Sequence, residues 1–429
     1  MGSQSKPSLS PRHFEWLALF LCFVSTWVCA VAQTTALEAS KTKPKTKPAT
    51  APKSGTRAVH SRIVPAEGQS TSLVKSVPGR ATVGPKPLPA VSEPIIRGGP
   101  WTEPTYADST EGDNVDGEDL DVRRAAVSAL GSYNGSVVVV DSNTGRILTM
   151  VNQRVALGGG FQPCSTIKVS VALAGLSEKI IDPTTKLRLA GLGRMDLTYA
   201  LAHSNNQFFA TLGEKMGFQK VSYYSHLFGY GEKAGLNIAG EQPGRYPTKP
   251  PQNGGVGMLT SFGEEVLQTP LQLAALLTAI SNGGTLYYLQ YPRTPEEISS
   301  FTPQVKRRLE IGKLIPVVET GMRGAVDFGT AHRAKEDEPI AGKTGTCSDE
   351  NHTHLGWFGS YNEVGKRKLV VVVLLTGGRP SIGPLAAGIA GDVYKRLELG
   401  KFFAADQPTG SRNPEVAEHL LSIQKCCRR

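Results

Sequence analysis

The fold of this chain is constrained most by two strand-rich regions that stand far apart in the sequence, with helical sequence between them. At 135–151, GSVVVVDSNTGRILTMV holds two β-branched runs around Asn143-Thr144-Gly145, a hairpin signal. Much later come IAGKTGT (340–346), THLGWFGSY (353–361) and KLVVVVLLT (368–376), three strand-like runs in succession. Residues 186–280 read mostly as helix, broken by Gly/Pro-rich turns such as GEQPGRYP. DVRRAAVSAL (121–130), apolar at 122, 126, 127 and 130, predicts a helix that stops at Gly131. PLAAGIAGDVYKRLEL (384–399) predicts another that closes the domain. The whole predicts an α+β fold. Its antiparallel sheet is built from the N- and C-terminal parts, flanked by helices, and an all-helical subdomain is inserted between them.

The rest of the 429 residues read differently. Residues 33–100 hold 11 Lys/Arg, 3 Asp/Glu and 10 of the 29 prolines. Such a segment buries too little apolar surface to offset chain entropy. Trp101 to Asp121 holds eight Asp/Glu and no Lys/Arg. Residues 33–121 are therefore expected to be a disordered linker, basic then acidic, with order beginning near Asp121 and the domain spanning 122–400. Residues 401–429 form a C-terminal tail in which PEVAEHLLSIQKCCRR could make a short amphipathic helix. The net charge of +10 is blocky. No aromatic interleaving accompanies the basic run, so nucleic acid is not the expected partner.

Residues 1–32 read as an export segment. Lys6, Arg12 and His13 precede an apolar run at 16–32 that ends in Ala30-Val31-Ala32, a signal-peptidase pattern. At about 1.5 Å per residue that run spans about 25 Å. Cleaved signal peptide and membrane anchor both remain open, and the anchor is preferred because a long tether suits a held far end. Either way the domain is expected outside the cytoplasm. There an oxidising compartment permits disulfides, and the cysteine spacing fits no zinc pattern.

Three short motifs carry the chemistry. Ser165 and Lys168 are three apart where a helix begins, so they share a face. Serine needs a neighbour to take its proton, and a lysine can do so once burial and nearby cations lower its pKa. Ser204 and Asn206 follow in S-x-N spacing within the helical middle, and Lys343, Thr344, Gly345 and Thr346 lie on a strand. Each motif alone is weak: Ser165 or Ser204 could cap a helix, and either lysine could be a surface charge. In order, with gaps of 39 and 139 residues between their first members, they form a specific set.

This ordered set resembles that of the penicillin-binding proteins and serine β-lactamases, and residues 122–400 resemble the transpeptidase domain of the former. The blocks TYALAHSNNQFFATLGEKMG, FGYGEKAGLNIAGEQPG, TPLQLAALLTAISNGG and GTAHRAKEDEPIAGKTGTCSDENHTHLGWFGSY add to the likeness. The resemblance implies a D,D-transpeptidase that cross-links peptidoglycan stem peptides and is acylated by β-lactams, without a cofactor or metal. Ser165 would attack the D-Ala-D-Ala carbonyl, and Lys168 would take its proton. Ser204 would relay a proton to the leaving amine, and Asn206 would position substrate and hold Lys168. Lys343 would favour an anionic substrate and keep Lys168 deprotonated. Thr344 and Thr346 would bind the substrate carboxylate, and the N–H groups of Ser165 and Thr346 would form the oxyanion hole. Gly345 would let the substrate backbone approach.

The same motifs serve D,D-carboxypeptidases, β-lactamases and penicillin-binding sensors, and these stay open. Glu241 lies 37 residues past Ser204, where class A β-lactamases carry a catalytic glutamate, but its GEQPG block also resembles penicillin-binding proteins and reads as structural. Cys164 stands where the family usually has glycine, and Cys347 follows the third motif directly. If the two oxyanion donors converge, these cysteines flank them, with Cα atoms expected at roughly 4.4–6.8 Å. Such a pair resembles the active-site disulfide of carbapenem-hydrolysing class A β-lactamases. The alternative is an unpaired, buried Cys164.

Overall fold

A computed structural model describes residues 101–349, 352–362 and 367–403. The expected export segment at 1–32, the basic part of the linker at 33–100 and the tail from 404 onward lie outside the described residues. Among those described, no helix is long and apolar enough to cross a membrane.

The central sheet has five antiparallel strands: β1 (Gly135–Asp141), β2 (Arg146–Val151), β5 (Ile340–Ser348), β6 (His354–Asn362) and β7 (Leu369–Gly377). Their order is β2-β1-β7-β6-β5, so the N-terminal hairpin joins the C-terminal strands through β1 and β7. Every residue of β7 is buried, as its unbroken apolar run requires of a strand covered on both faces. Alternation then divides two cores. Val138, Val140, Val370, Val372 and Leu374 face one side, and Val137, Val139, Val371, Val373 and Leu375 face the other.

The second face is covered by α1 (Leu120–Leu130) and α8 (Gly383–Leu399). Asp119 caps α1 by accepting from the Asp121 and Val122 N–H groups, and Gly131 ends it at φ 60°, a conformation glycine takes without steric penalty. The first face carries the helical subdomain. Its central members are α2 (Lys168–Ser177), α4 (Asn206–Met216) and α6 (Pro270–Ser281). A capping box between Thr269 and Gln272, with Pro270 at the first helical position, starts α6. Other elements are the hairpin β3 (Leu187–Leu189) and β4 (Gly193–Met195), α3 (Leu197–Ala202), α5 (Gly255–Phe262) and α7 (Ile315–Asp327).

One expected boundary is corrected. Residues 101–121 are not a solvated linker; they pack on the domain. Thr105 Oγ1 accepts from Gly378 N (2.6 Å) and Asn134 Nδ2 donates to Pro104 O (2.8 Å). Asp113 and Glu118 pair with Arg123 of α1 at 2.8 and 3.0 Å. Glu118 also accepts from Thr149 Oγ1 (2.7 Å) and Met150 N (3.0 Å). The acids clamp α1 to β2, and the domain includes them.

Candidate active site

The first motif sits on a 3-10 turn, Cys164–Ile167, that runs directly into α2. Ser165 and Lys168 therefore share one face of the entry turn. Lys168 is wholly buried, and its Nζ meets four oxygens: Ser165 Oγ (2.8 Å), Ser204 O (2.9 Å), Ser204 Oγ (3.2 Å) and Asn206 Oδ1 (2.5 Å). The Phe209 and Phe262 rings stand 5.8 Å from the same nitrogen. Burial first, and the charge of Lys343 second, push the Lys168 amine down to about 6. Lys343, on β5, is also buried, donates to Thr344 O (2.9 Å) and is pushed down to about 7 by desolvation.

The second motif lies in the break between α3 and α4. Asn205, not Ser204, caps α4, accepting from Phe208 N. Ser204 instead takes φ 56°, a left-handed conformation uncommon for serine that aims both its carbonyl and its hydroxyl at Lys168. The third motif runs along β5, the edge strand beside β6. Thr344 Oγ1 bonds Thr330 Oγ1 (2.6 Å), and Thr346 Oγ1 accepts from Gly383 N at the start of α8 (2.8 Å). Thr346 is exposed and Thr344 buried.

Gly345 has a second reason beside the one read in the sequence. A Cβ there would lie 2.9 Å from Pro163 O and 3.2 Å from Thr166 Cγ2. The missing side chain admits the nucleophile's own turn against β5. The same junction is closed by Trp357, paired with Gly345 in the strand register, whose Nε1 donates to Gln162 O (2.9 Å). It is also closed covalently, since Cys164 and Cys347 are disulfide-bonded with Cα atoms 5.6 Å apart. Cys164 is fully buried at φ 51°, the region that favours glycine.

Ser165, Lys168, Ser204 and Asn206 thus converge through one amine. Lys343 acts on that amine through its charge, and Thr344, Gly345 and Thr346 form the wall beside Ser165. Trp357, Thr330 and the two phenylalanines were not singled out from sequence. Trp357 had one available signal, its position on a strand neighbouring the K-T-G run. Glu241 is buried with its carboxylate accepting from Ala234 N (2.7 Å) and Gly235 N (3.0 Å), and burial raises its pKa.

Comparison with known proteins follows this geometry. The family model described as "Penicillin binding protein transpeptidase domain" matches residues 135–395. The chain is 25% identical over 397 residues to peptidoglycan D,D-transpeptidase MrdA of Haemophilus influenzae, covering 72% of this chain and 58% of that protein. It is 27% identical over 283 residues to stage V sporulation protein D of Bacillus subtilis, covering 58% and 43% respectively. It therefore spans about half the length of the curated relatives it matches. Its fold is similar to Pseudomonas aeruginosa PBP2 in complex with WCK 5153 (TM-score 0.59, 22% identity, 68% of this chain and 78% of that one). It is also similar to the TP domain of Burkholderia pseudomallei penicillin-binding protein 3 (TM-score 0.57, 20% identity, 68% and 98%). The chain belongs to the family that carries the penicillin-binding protein transpeptidase domain.

Proposed function

We propose that this chain is a serine D,D-transpeptidase that cross-links peptidoglycan stem peptides through an acyl-enzyme on Ser165 and is acylated there by β-lactams. The observation that carries this reading is the set of partners around Lys168. Ser204 O and Asn206 Oδ1 can only accept, so Nζ donates to both. A neutral amine has two protons and one lone pair, and the lone pair is left for a hydroxyl, of which Ser165 Oγ at 2.8 Å stands nearer than Ser204 Oγ at 3.2 Å. A pKa near 6 keeps the amine in that form at neutral pH.

The reaction follows in two transfers. Ser165 attacks the D-Ala-D-Ala carbonyl while Lys168 takes its proton, and the Ser165 and Thr346 N–H groups hold the developing oxyanion, each worth about 3 kcal/mol. The proton passes by way of Ser204 to the departing D-Ala amine. An amine of a second stem then attacks the ester, and the same groups run in reverse. Lys343, Thr344 and Thr346 present positive potential and hydroxyls to the substrate carboxylate. Hydrolysis instead of transfer would need a base for water, and Glu241 is committed to its own loop. The domain works outside the cytoplasm, held to the membrane by the segment at 1–32.

The test is labelling with a fluorescent penicillin, followed by chase with an acceptor amine or with buffer. A stable adduct at Ser165, together with peptide products that partition toward the amine, supports the transpeptidase. Rapid loss of the penicillin adduct to water would move the reading to a β-lactamase.

A further inference from the structure

The β3–β4 hairpin carries an arrangement that folding alone does not favour. Leu187 and Leu189 are buried, while Arg188 and Arg194 are exposed and directly opposite in the register. Like charges placed so destabilise a strand pair, and a hairpin of three residues per strand has little stability in reserve. No carboxylate lies within ion-pair distance of either arginine among the described residues. Lys186, also exposed, adds a third cation on the same face by strand alternation.

This face borders the second motif. Gln207, in the first turn of α4, donates to Ala190 O in the hairpin loop (3.2 Å). Helix α3, six residues and about 9 Å long, leads from the hairpin to Ser204. Along it runs an exposed aromatic row. Tyr199 (51% exposed) lies 4.2 Å from the His203 ring, which lies 5.8 Å from Phe328 (57% exposed). Along the chain from Ser204 back to the hairpin, the exposed side chains are thus aromatic at His203 and Tyr199, then cationic at Arg194 and Arg188. An extended peptide of five residues spans about 17 Å, longer than α3 itself.

We infer that Arg188 and Arg194 form a docking face for the side-chain carboxylates of a peptidoglycan stem whose terminal residues lie at Ser165, with the Tyr199–His203–Phe328 row supporting the chain between. The inference rests on the proposed transpeptidase reading and names the part of its substrate that this hairpin holds. Paired guanidinium forks suit carboxylates, and a ligand that neutralises both removes the repulsion that burdens the hairpin. A membrane surface is the weaker occupant, because Leu192 is the one exposed large apolar side chain in the β3–β4 hairpin and its loop.

The test is co-sedimentation of the full-length protein, with Ser165→Ala to prevent turnover, with purified peptidoglycan sacculi. Native sacculi should bind. The R188Q/R194Q substitution should weaken binding roughly three- to tenfold, the range for two exposed charge pairs, and amidating the stem carboxylates, which also removes the one proposed to meet Lys343, Thr344 and Thr346, should weaken it at least as much. On amidated sacculi R188Q/R194Q should cost nothing further, since the contact it removes is already gone. R188K/R194K should keep most of the binding, and thermal melting should show R188Q/R194Q at least as stable as the parent. Unchanged binding on amidated sacculi, which needs no variant, overturns the inference. So does an equal loss for R188Q/R194Q on native and amidated sacculi, or stronger arginine-dependent binding to phosphatidylglycerol vesicles than to sacculi. Penicillin labelling of the parent decides the transpeptidase reading separately, so arginine-dependent sacculus binding without labelling at Ser165 would break that reading and leave this face standing.

Discussion

The two walls of the cleft are held by different means. The strand wall, Lys343 to Cys347, is part of β5. It is locked in register to β6 and tied to the nucleophile's turn by a disulfide, by Trp357 and by the bare backbone of Gly345. The loop wall, Ser204 to Asn206, is an irregular break between two helices. Ser204 is in a left-handed conformation there, and the wall's ties to the catalytic floor converge on one buried amine. One wall is a covalent and sheet-borne scaffold, while the other is assembled by the amine that the proposed mechanism uses to take the proton. The difference assigns separate consequences to damage on each side.

The largest effect is expected where function and scaffold coincide. Lys168→Ala removes the proposed proton acceptor, and acylation by penicillin should fall about 10²–10⁴-fold. It also leaves Ser204 O and Asn206 Oδ1 without their partner, so unfolding free energy should fall by about 1–3 kcal/mol. Ser165→Ala should abolish acylation with a melting temperature near the parent's. Equal melting temperatures for the two variants would show that the loop wall stands without Lys168.

Breaking the strand wall should give the opposite balance. Cys164→Ala/Cys347→Ser opens a cross-link between residues 183 apart and should lower stability by about 2–5 kcal/mol. The amine network is untouched, so acylation should survive to within roughly tenfold. Cys164→Gly/Cys347→Ser should recover about 1 kcal/mol of that loss, because glycine accepts the φ of 51° that alanine resists. Denaturant melts of the three proteins separate these terms. A glycine variant no better than the alanine one would mean that the turn relaxes once the disulfide is gone.

The strand wall was also the more legible in sequence. Three strand-like runs in succession, valine-rich in β7, aromatic in β6 and carrying K-T-G in β5, announce these strands because short apolar runs bounded by turns suffice to mark them, and α1 appears within one residue of its expected start. What local pattern cannot show is who sits opposite. Asp113 and Glu118 look like solvated charge until Arg123 is placed beside them. Gly345 reads as room for substrate, and that Pro163 also needs the space, at 2.9 Å from a Cβ there, shows only in the fold. Ser204 reads on paper as a helix cap, and the fold gives the cap to Asn205 and turns Ser204 toward Lys168. The convergence of Ser165, Lys168, Ser204 and Asn206 was expected from motif order, whereas Thr330 and the phenylalanine rings reach the site through tertiary packing alone.

The smallest effect concerns the one influence that passes between the walls without a bond. Lys343 depresses Lys168 through its charge, second to burial. Below pH about 6 the Lys168 amine becomes an ammonium, which has no lone pair for the Ser165 proton, so the rate of penicillin acylation should fall as pH drops through that value and level off above it. Lys343 is itself pushed down only to about 7, so it still carries charge over the interval in which Lys168 loses its own. Lys343→Met removes that charge while keeping an unbranched side chain in the buried slot. The ammonium form of Lys168 then becomes easier to hold, its pKa rises, and the acid limb of the profile should move to higher pH. Burial remains the larger cause, so the limb should stay far below the ordinary lysine range. Stopped-flow acylation rates across pH 4 to 9 give both limbs. A limb that stays put, or moves to lower pH, would show that the two walls do not communicate through these lysines.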